Sequence, residues 1–465
     1  MDAIIEKQRE KVFGEQPEIK LIGACKLNEG VLVHSSFEKK KYEVRFQKSN
    51  DEITFFIPAS GSGSRMFAFL YDFLDDPNEE NRGKTEKFLN AIQEFAFFEL
   101  LPFDLKMKVR DYDINLEDFI AFLLKEHGLQ LGGQPKGLLP FHRSRSFIFN
   151  AFQEHVLQGL RIKENKVKFH FTINPLFEDQ IRTSLEHLIA LTGRDVEVST
   201  SLQNPKSDSY AFDTDGNVVT KEDGNQLRRP CGHGALLDNL NAISSDIVFI
   251  KNIDNIQQES KSNASIENFQ YLGGFLQQLK SDLRDVYHSD QPIEELKKLN
   301  LSYQLFDKNY DFDRLNNETC KALVLRPIRV CGMVRNEGQP GGGPFWVEHE
   351  DGTVSKQIVE KAQIKMRGEQ YRLMVQSQYF NPVLIALSNT TILGDKLDLN
   401  EFADHSKYFI VDKKFEGKPI KFIERPGLWN GSMANWLTVF VEVPSETFTP
   451  VKTILDLLNA PHREK

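Results

Sequence analysis

"EITFFIPASGSGSRMFAFLYDFL", Glu52 to Leu74, decides the reading of this chain. Ile53 to Ile57 is a short apolar run rich in β-branched and aromatic residues, ended by Pro58 and small residues, and it predicts a buried strand. Beyond the loop, Met66, Phe67, Phe69, Leu70, Phe73 and Leu74 fall at helical spacing. Between them, Ser60, Gly61, Ser62, Gly63 and Ser64 carry almost no side chain. A strand, a Gly-rich turn and a helix N-terminus form an anion site, because backbone N–H groups point outward and the helix dipole favours negative charge. Arg65 lies just inside and is suited to bidentate pairing with phosphate. A flexible turn explains the same letters. The dinucleotide fingerprint is incomplete, since the last glycine's place is taken by Met66, and "GSGSRM" lacks the Gly-Lys-Ser/Thr of a P-loop.

The same alternation continues outward. "VKFHFTI" and "DVEVSTSL" read as strands, with the amphipathic helix "FEDQIRTSLEHLIALTG" between them. "GHGALLDNLNAI" reads as a loop entering a helix, "DIVFIKNID" as a buried strand, and "DTDGNVV" as an Asp-Gly turn. This order predicts an α/β fold, a mostly parallel central sheet flanked by helices and Rossmann-like in type. A helical insertion is expected at about 75–131, with Gly128 as a C-cap. Residues 1–50 are expected to form a helix and a strand-rich piece, "KKYEVRFQKS". The main α/β domain is set at 51–410. Residues 411–465 read as a hairpin and a helix with Thr449 as N-cap and Pro450 at its first position. "IRVCGMV" and "PVLIALS" are further strands, and residues near 262–300 are helical.

Composition narrows the function. The chain has 465 residues, a net charge of -9 and 36 Phe. The acidic balance counts against diffuse nucleic-acid binding, and the Phe content is expected to fill a core. No apolar run is long enough to span a bilayer, and the charged N-terminus does not read as a signal peptide, so a cytoplasmic protein is expected. The four cysteines form no C-x-x-C pair, so neither a zinc site nor a disulfide framework is expected.

Four further stretches carry possible chemistry. "QPKGLLPF" holds Lys136 in a loop, a point charge suited to polyphosphate or simply a solvated lysine. "RRPCGHGALL" flanks His233 with Gly232 and Gly234, where a flat base could lie on the backbone and His233 could cap the helix. "VFIKNIDN" ends a buried strand in Asn252 and Asp254, a place suited to Mg²⁺ and equally to a turn. "RNEGQPGGGPFW" offers Gly341, Gly342 and Gly343 to a hydroxyl-rich ligand or to a mobile connector.

In their order along the chain these motifs resemble the sugar-nucleotide pyrophosphorylases of the nucleotide-diphospho-sugar transferase superfamily. "GSGSRM" is similar to that family's Gly-x-Gly-Thr-Arg-Met/Leu loop, with Ser64 for Thr, and Pro135-Lys136 to its Pro-Lys. "LQNP", "DTDGN", "RPCGHG" and "KNIDN" resemble the UDP-sugar pyrophosphorylase series, with His233 where Asn is common. Over most of its length the chain also resembles a family of bacterial proteins defined by a domain of unknown function. The resemblance implies a nucleoside triphosphate, UTP favoured, and a sugar 1-phosphate as partners, without nucleic acid or membrane. It implies Ser60 to Ser64 around the triphosphate and Arg65 and Lys136 as the catalytic cations. Gln203 and Gly232 to Gly234 would hold the base, and Asp254 would hold Mg²⁺. Asn252, Gly341 to Gly343 and Asn381 of "QYFNPVLIALS" would lie near the sugar. A non-catalytic nucleotide or sugar-nucleotide binder, a glycosyltransferase of the same fold, and an interaction protein using the helical insertion are the alternatives.

Overall fold

A computed structural model describes residues 2–15, 18–164, 167–194, 196–338, 341–364 and 367–464. The chain divides into two compact units. The first comprises Met1–Thr54, Gln203–Ile250 and Phe269–Ser445; the second comprises Phe55–Leu202, Lys251–Asn268 and Glu446–Lys465.

In the second unit the strand Ile53–Pro58 enters at Phe55 and is followed in sheet order by Val167–Ile173 and Glu197–Leu202. The last two are parallel, paired from Lys168 with Glu197 to Ile173 with Leu202. The helix between them, Glu178–Thr192, stops at Gly193, whose φ of 62° is the left-handed cap that glycine adopts without strain. Aromatic rings fill this unit. Phe55 stacks on Phe169 at 5.6 Å between centroids, and Phe152 meets Phe171 edge-on at 5.0 Å.

The insertion is helical, with Glu79–Asn90, Phe103–Arg110 and Leu116–Leu124 as its α-helices. Between the first two lie short 3₁₀ turns, Ile92–Glu94 and Ala96–Leu100. The helical pattern expected over about 75–131 breaks there. Phe95, Ala96, Phe97 and Phe98 are all buried in succession, which one face of an α-helix does not allow. Gly128 is not a helix cap either: the helix ends at Leu124 with Lys125 as its cap, and a Cβ at Gly128 would stand 1.9 Å from the Phe122 carbonyl oxygen.

The first unit carries strands in the order Lys26–Leu27, Gly30–Leu32, Leu437–Glu442, Ile328–Arg335, Ile385–Ser388, Ile247–Ile250. The first four are mutually parallel. Ile385–Ser388, from "PVLIALS", is antiparallel to both its neighbours. A second sheet of this unit is antiparallel, in the order Lys20–Ala24, Gly343–Glu348, Val354–Val359. The hairpin Phe409–Phe415 and Lys418–Glu424 forms as its sequence predicts. The expected helical stretch near 262–300 is Asn263–His288 and Pro292–Tyr303.

Two further local expectations fail for definable reasons. "KKYEVRFQKS" lies in the helix Ser36–Lys48, not in a strand. Ser35 and Glu38 close a capping box at its start, and only Phe46 is buried, so the alternation has no second face to serve. At the C-terminus Thr449 and Pro450 are extended: Pro450 bridges Asn255 and the Thr449 N–H donates to Asn255 Oδ1 at 2.9 Å. The turn that follows is the 3₁₀ segment Ile454–Leu458, boxed by Thr453 and Asp456. All four cysteines are free and buried.

Candidate active site

In the second unit the Gly/Ser loop is zipped to the loop that carries Lys136. The Gly63 N–H donates to the Gln134 carbonyl at 3.0 Å, the Lys136 N–H donates to the Gly61 carbonyl at 3.0 Å, and Ser62 bridges Pro135. Gly63 has an ordinary helical φ of -79°, so its need for glycine is closeness. A Cβ there would stand 2.8 Å from the Gln134 oxygen and 3.0 Å from Leu139 Cδ1. Gly61 differs, because a Cβ on it would meet nothing within 4 Å.

Ser60, Gly61 and Ser62 are exposed, and among the described residues their N–H groups donate no hydrogen bond. The Ser62 and Ser64 hydroxyls bond each other at 2.9 Å. Ser64–Phe67 is a 3₁₀ turn leading into the helix Ala68–Asp75, which keeps Arg65 exposed at its start.

Lys136 reaches from this loop to Asp254. Its Nζ donates to Asp254 Oδ2 at 3.0 Å and to the Val451 carbonyl at 3.1 Å. Lys452 Nζ donates to the same Asp254 oxygen at 3.1 Å. Asp254 is 7% exposed. Burial by itself would raise its pKa, but Lys136 and then Lys452 outweigh burial and hold the carboxyl below its ordinary value. The C-terminal segment that brings Lys452 is stitched along the chain around Asp254. The Val451 N–H donates to the Asp254 carbonyl at 2.9 Å, and Gln257 Nε2 donates to Thr449 Oγ1 at 2.7 Å.

The same unit holds a buried polar network. Lys251, at the end of the strand Ile247–Ile250, donates to Gln158 Oε1, and burial lowers its pKa to about 7 against the opposing pull of Glu154. His142 Nδ1 lies 2.7 Å from Glu154 Oε1, and His142 Nε2 lies 2.9 Å from His462 Nδ1. Burial lowers both histidines to about 3 and raises Glu154. The donors are in sequence when a protonated Glu154 donates to His142 and His142 donates to His462.

The structure thus brings together Ser60 to Ser64, Lys136 and Asp254, with Asn252 on the same turn as Asp254: the Asn255 N–H donates to the Asn252 carbonyl at 3.1 Å. Lys452 and the Val451 carbonyl are the members that sequence reasoning missed. A lone lysine ahead of a capping Thr carries no motif, and only its distant partner Asp254 distinguishes it.

The remaining residues belong to the first unit. Gln203 Nε2 donates to Asp208 Oδ1 at 3.3 Å. Gly232 has φ 67°, and a Cβ there would stand 2.5 Å from Glu424 Oε2; one on Gly234 would stand 2.0 Å from the Pro426 carbonyl oxygen. Both glycines therefore let their own unit close around the turn. His233 stacks on Trp429 at 4.1 Å, its Nδ1 accepts from the Leu428 N–H at 2.8 Å, and its Nε2 lies 3.7 Å from Glu360. His233 is fixed by these contacts, and its cap role is not seen: no side-chain bond caps the turn His233–Leu236.

Gly341 to Gly343 and Asn381 meet: the Asn381 N–H donates to the Gly342 carbonyl at 2.9 Å. Asn381 Oδ1 accepts from the Val383 N–H, while its buried Nδ2 has no partner among the described residues. Val383 takes φ 61°, a strained conformation for a β-branched residue. Gln339 and Pro340 of the same stretch lie outside the described residues.

One oxygen of Asp254 accepts from two ammonium groups, so in this arrangement a divalent cation would sit against both, and Asp254 could hold one only after the lysines turn away. No group of three or more His, Cys, Asp or Glu able to hold a metal occurs among the described residues. No helix of the described residues is long and apolar enough to cross a membrane.

The family model described as a domain of unknown function (DUF4301) matches residues 2–463. No curated protein matches the chain. Among solved structures it is similar to a mutant of UDP-glucose pyrophosphorylase from Leishmania major, at 12% identity and a TM-score of 0.43, covering 95% of this chain and 70% of that one. It is likewise similar to a UDP-glucose phosphorylase from Trypanosoma brucei, at 14% identity and a TM-score of 0.44, covering 98% of this chain and 72% of that one.

Proposed function

The chain belongs to the family described as a domain of unknown function, DUF4301, and we propose that it is a sugar-1-phosphate nucleotidyltransferase that favours UTP. The observation that carries this reading is the junction of the Gly/Ser loop with the Lys136 loop, where three undonated amides, an exposed arginine and two lysines lie in one unit. The two lysines and one carboxylate at Asp254 leave one net positive charge. Such a place attracts a polyanion.

In the proposed reaction an oxygen of the sugar phosphate attacks the α-phosphorus of the triphosphate, and the bond to pyrophosphate breaks in line. The nucleophile is already ionised at neutral pH, so no general base is required. The chain's task is to position two polyanions and offset their charge. The amides of Ser60, Gly61 and Ser62 and the guanidinium of Arg65 hold phosphate oxygens. Lys136 and Lys452 turn from Asp254 toward the leaving pyrophosphate, and Asp254 holds both ammonium groups in place beforehand. UTP is favoured on the resemblance of Gln203 and Gly232 to Gly234 to base-holding residues. The unpartnered Asn381 Nδ2, in the same unit as Gly341 to Gly343, is a donor suited to a sugar hydroxyl.

The test is release of pyrophosphate from UTP and a panel of sugar 1-phosphates, with and without Mg²⁺. Turnover abolished by Lys136→Ala supports the reading. A second reading is a nucleotide-binding protein without turnover, favoured by the engagement of Asp254 with two lysines in place of a metal. Nucleotide binding without pyrophosphate release would establish it.

A further inference from the structure

The core of the first unit buries two cationic side chains that no carboxylate pairs with among the described residues. Arg329, on Ile328–Arg335, is 0% exposed, and Lys356, on Val354–Val359, is 2% exposed. The two strands belong to different sheets. Arg329 is in register with Thr438 and Cys331 with Phe440. Arg329 Nε donates to Thr438 Oγ1 at 2.9 Å, so Arg329, Cys331, Thr438 and Phe440 share one face. Lys356 approaches that face from the other sheet. Its Nζ lies 5.5 Å from the Phe440 ring centroid and 5.8 Å from that of Trp346.

The hydrogen bonds of this region are incomplete chiefly on the donor side, the one buried acceptor without a partner beside Trp429 being Asn430 Oδ1. Arg329 Nη1 donates to the Trp429 carbonyl at 2.7 Å. Arg329 Nη2, Lys356 Nζ and Trp436 Nε1 are buried and have no partner among the described residues. All three are donors. No ion pair joins Arg329 or Lys356 to a carboxylate among the described residues. Cys25 and Cys331 do not supply the charge, because burial pushes their thiols up to about 12 and about 11. Burial lowers Lys356 to about 8, and Arg329 adds to the lowering. Cation–π contact offsets part of the cost at Lys356, but buried charge is retained in proteins when it is paired. Lys356, Trp436 and Thr438 also line a cavity of about 410 Å³ in the same unit.

We propose that the first unit binds a small inorganic oxyanion, phosphate or sulfate, at Arg329 and Lys356, next to the cavity that Lys356 lines with Trp436. A neutral acceptor such as water would complete the hydrogen bonds and leave the charge. A dianion does both, and arginine favours oxygen acceptors in this geometry. The site shares no residue with the proposed nucleotide site, and the two readings stand or fall separately.

The experiment uses the full chain with Lys136 and Lys452 replaced by alanine, which removes the other anion-attracting pair. After removal of oxyanions, thermal unfolding is followed at fixed pH and ionic strength while phosphate, sulfate or chloride is added. The expected result is a saturating upward Tm shift of ~2–4 °C with phosphate and sulfate and none with chloride. The same chain carrying Lys356→Met shows no shift. Equilibrium dialysis with labelled phosphate on the parent chain gives one equivalent bound, and this holds the test together if Lys356→Met does not fold. Absence of bound phosphate, or an undiminished shift in Lys356→Met, overturns the proposal.

Discussion

Lys452 donates to Asp254 Oδ2 at 3.1 Å across 198 positions of sequence. Lys136 reaches the same oxygen at 3.0 Å from the other direction. A carboxylate shared in this way holds both ammonium groups at one point, and it makes the three residues one electrostatic unit.

Lys136→Ala is expected to keep the fold and lower pyrophosphate release by on the order of 10²–10³, the scale of a lost charged contact to a transition state. Lys452→Ala, at a side chain 55% exposed, is expected to cost less. The double variant should fall short of the product of the two, since both cations serve one phosphate group. Steady-state rates and circular dichroism check this; unchanged turnover in Lys136→Ala sinks the assignment.

The two glycines of the loop are expected to separate folding from binding. Gly63→Ala pushes a methyl into the Gln134 oxygen and Leu139 and should lower Tm. Gly61→Ala meets no atom within 4 Å, so Tm should hold. If the amides of Ser60 to Ser62 hold phosphate, the added methyl at position 61 weakens nucleotide-induced stabilisation. A thermal-shift titration with UTP reads both, and full stabilisation in Gly61→Ala contradicts the phosphate role of the loop.

Asp254 gives a signed acid dependence. Its folded pKa lies below the ordinary value because Lys136 and Lys452 outweigh burial. Its contribution is therefore present above the unfolded pKa, near 3.9, and is lost as pH falls through the folded one. The stability gap between wild type and Asp254→Asn should narrow on acidification below pH ~4. A gap that widens there contradicts the ion-pair account.

His142 and His462, both lowered to about 3 by burial, act higher on the scale. Their contribution is complete above the unfolded value of ~6.5 and declines as pH falls toward 3. Glu154, raised by burial, has the opposite sign: its contribution is present below the unfolded carboxyl value and is lost as pH rises through its folded one. His462→Asn should lose part of the decline between pH ~6.5 and 3. Denaturant unfolding at several pH values measures it, and an identical acid profile in wild type and variant would count against neutral burial of this histidine.

The chain's local pattern determined its strands and helices wherever one period held without competition. Ile53–Pro58, Glu178–Thr192 with Gly193, and the hairpin at Phe409–Glu424 were legible because turn chemistry and periodicity agree there. It misled at "KKYEVRFQKS", where a capping box overruled an alternation, and at Thr449, where pairing with Asn255 replaced a helix start. Ser60 to Ser64, Lys136 and Asp254 stood out in sequence because each sits in a loop after a buried strand or before an apolar run. The meeting of Lys136 with Asp254, the arrival of Lys452, and the facing of Arg329 by Lys356 were decided only in three dimensions. Charges act through space, and residues far apart in the chain carry no local mark of the neighbour that folding will give them.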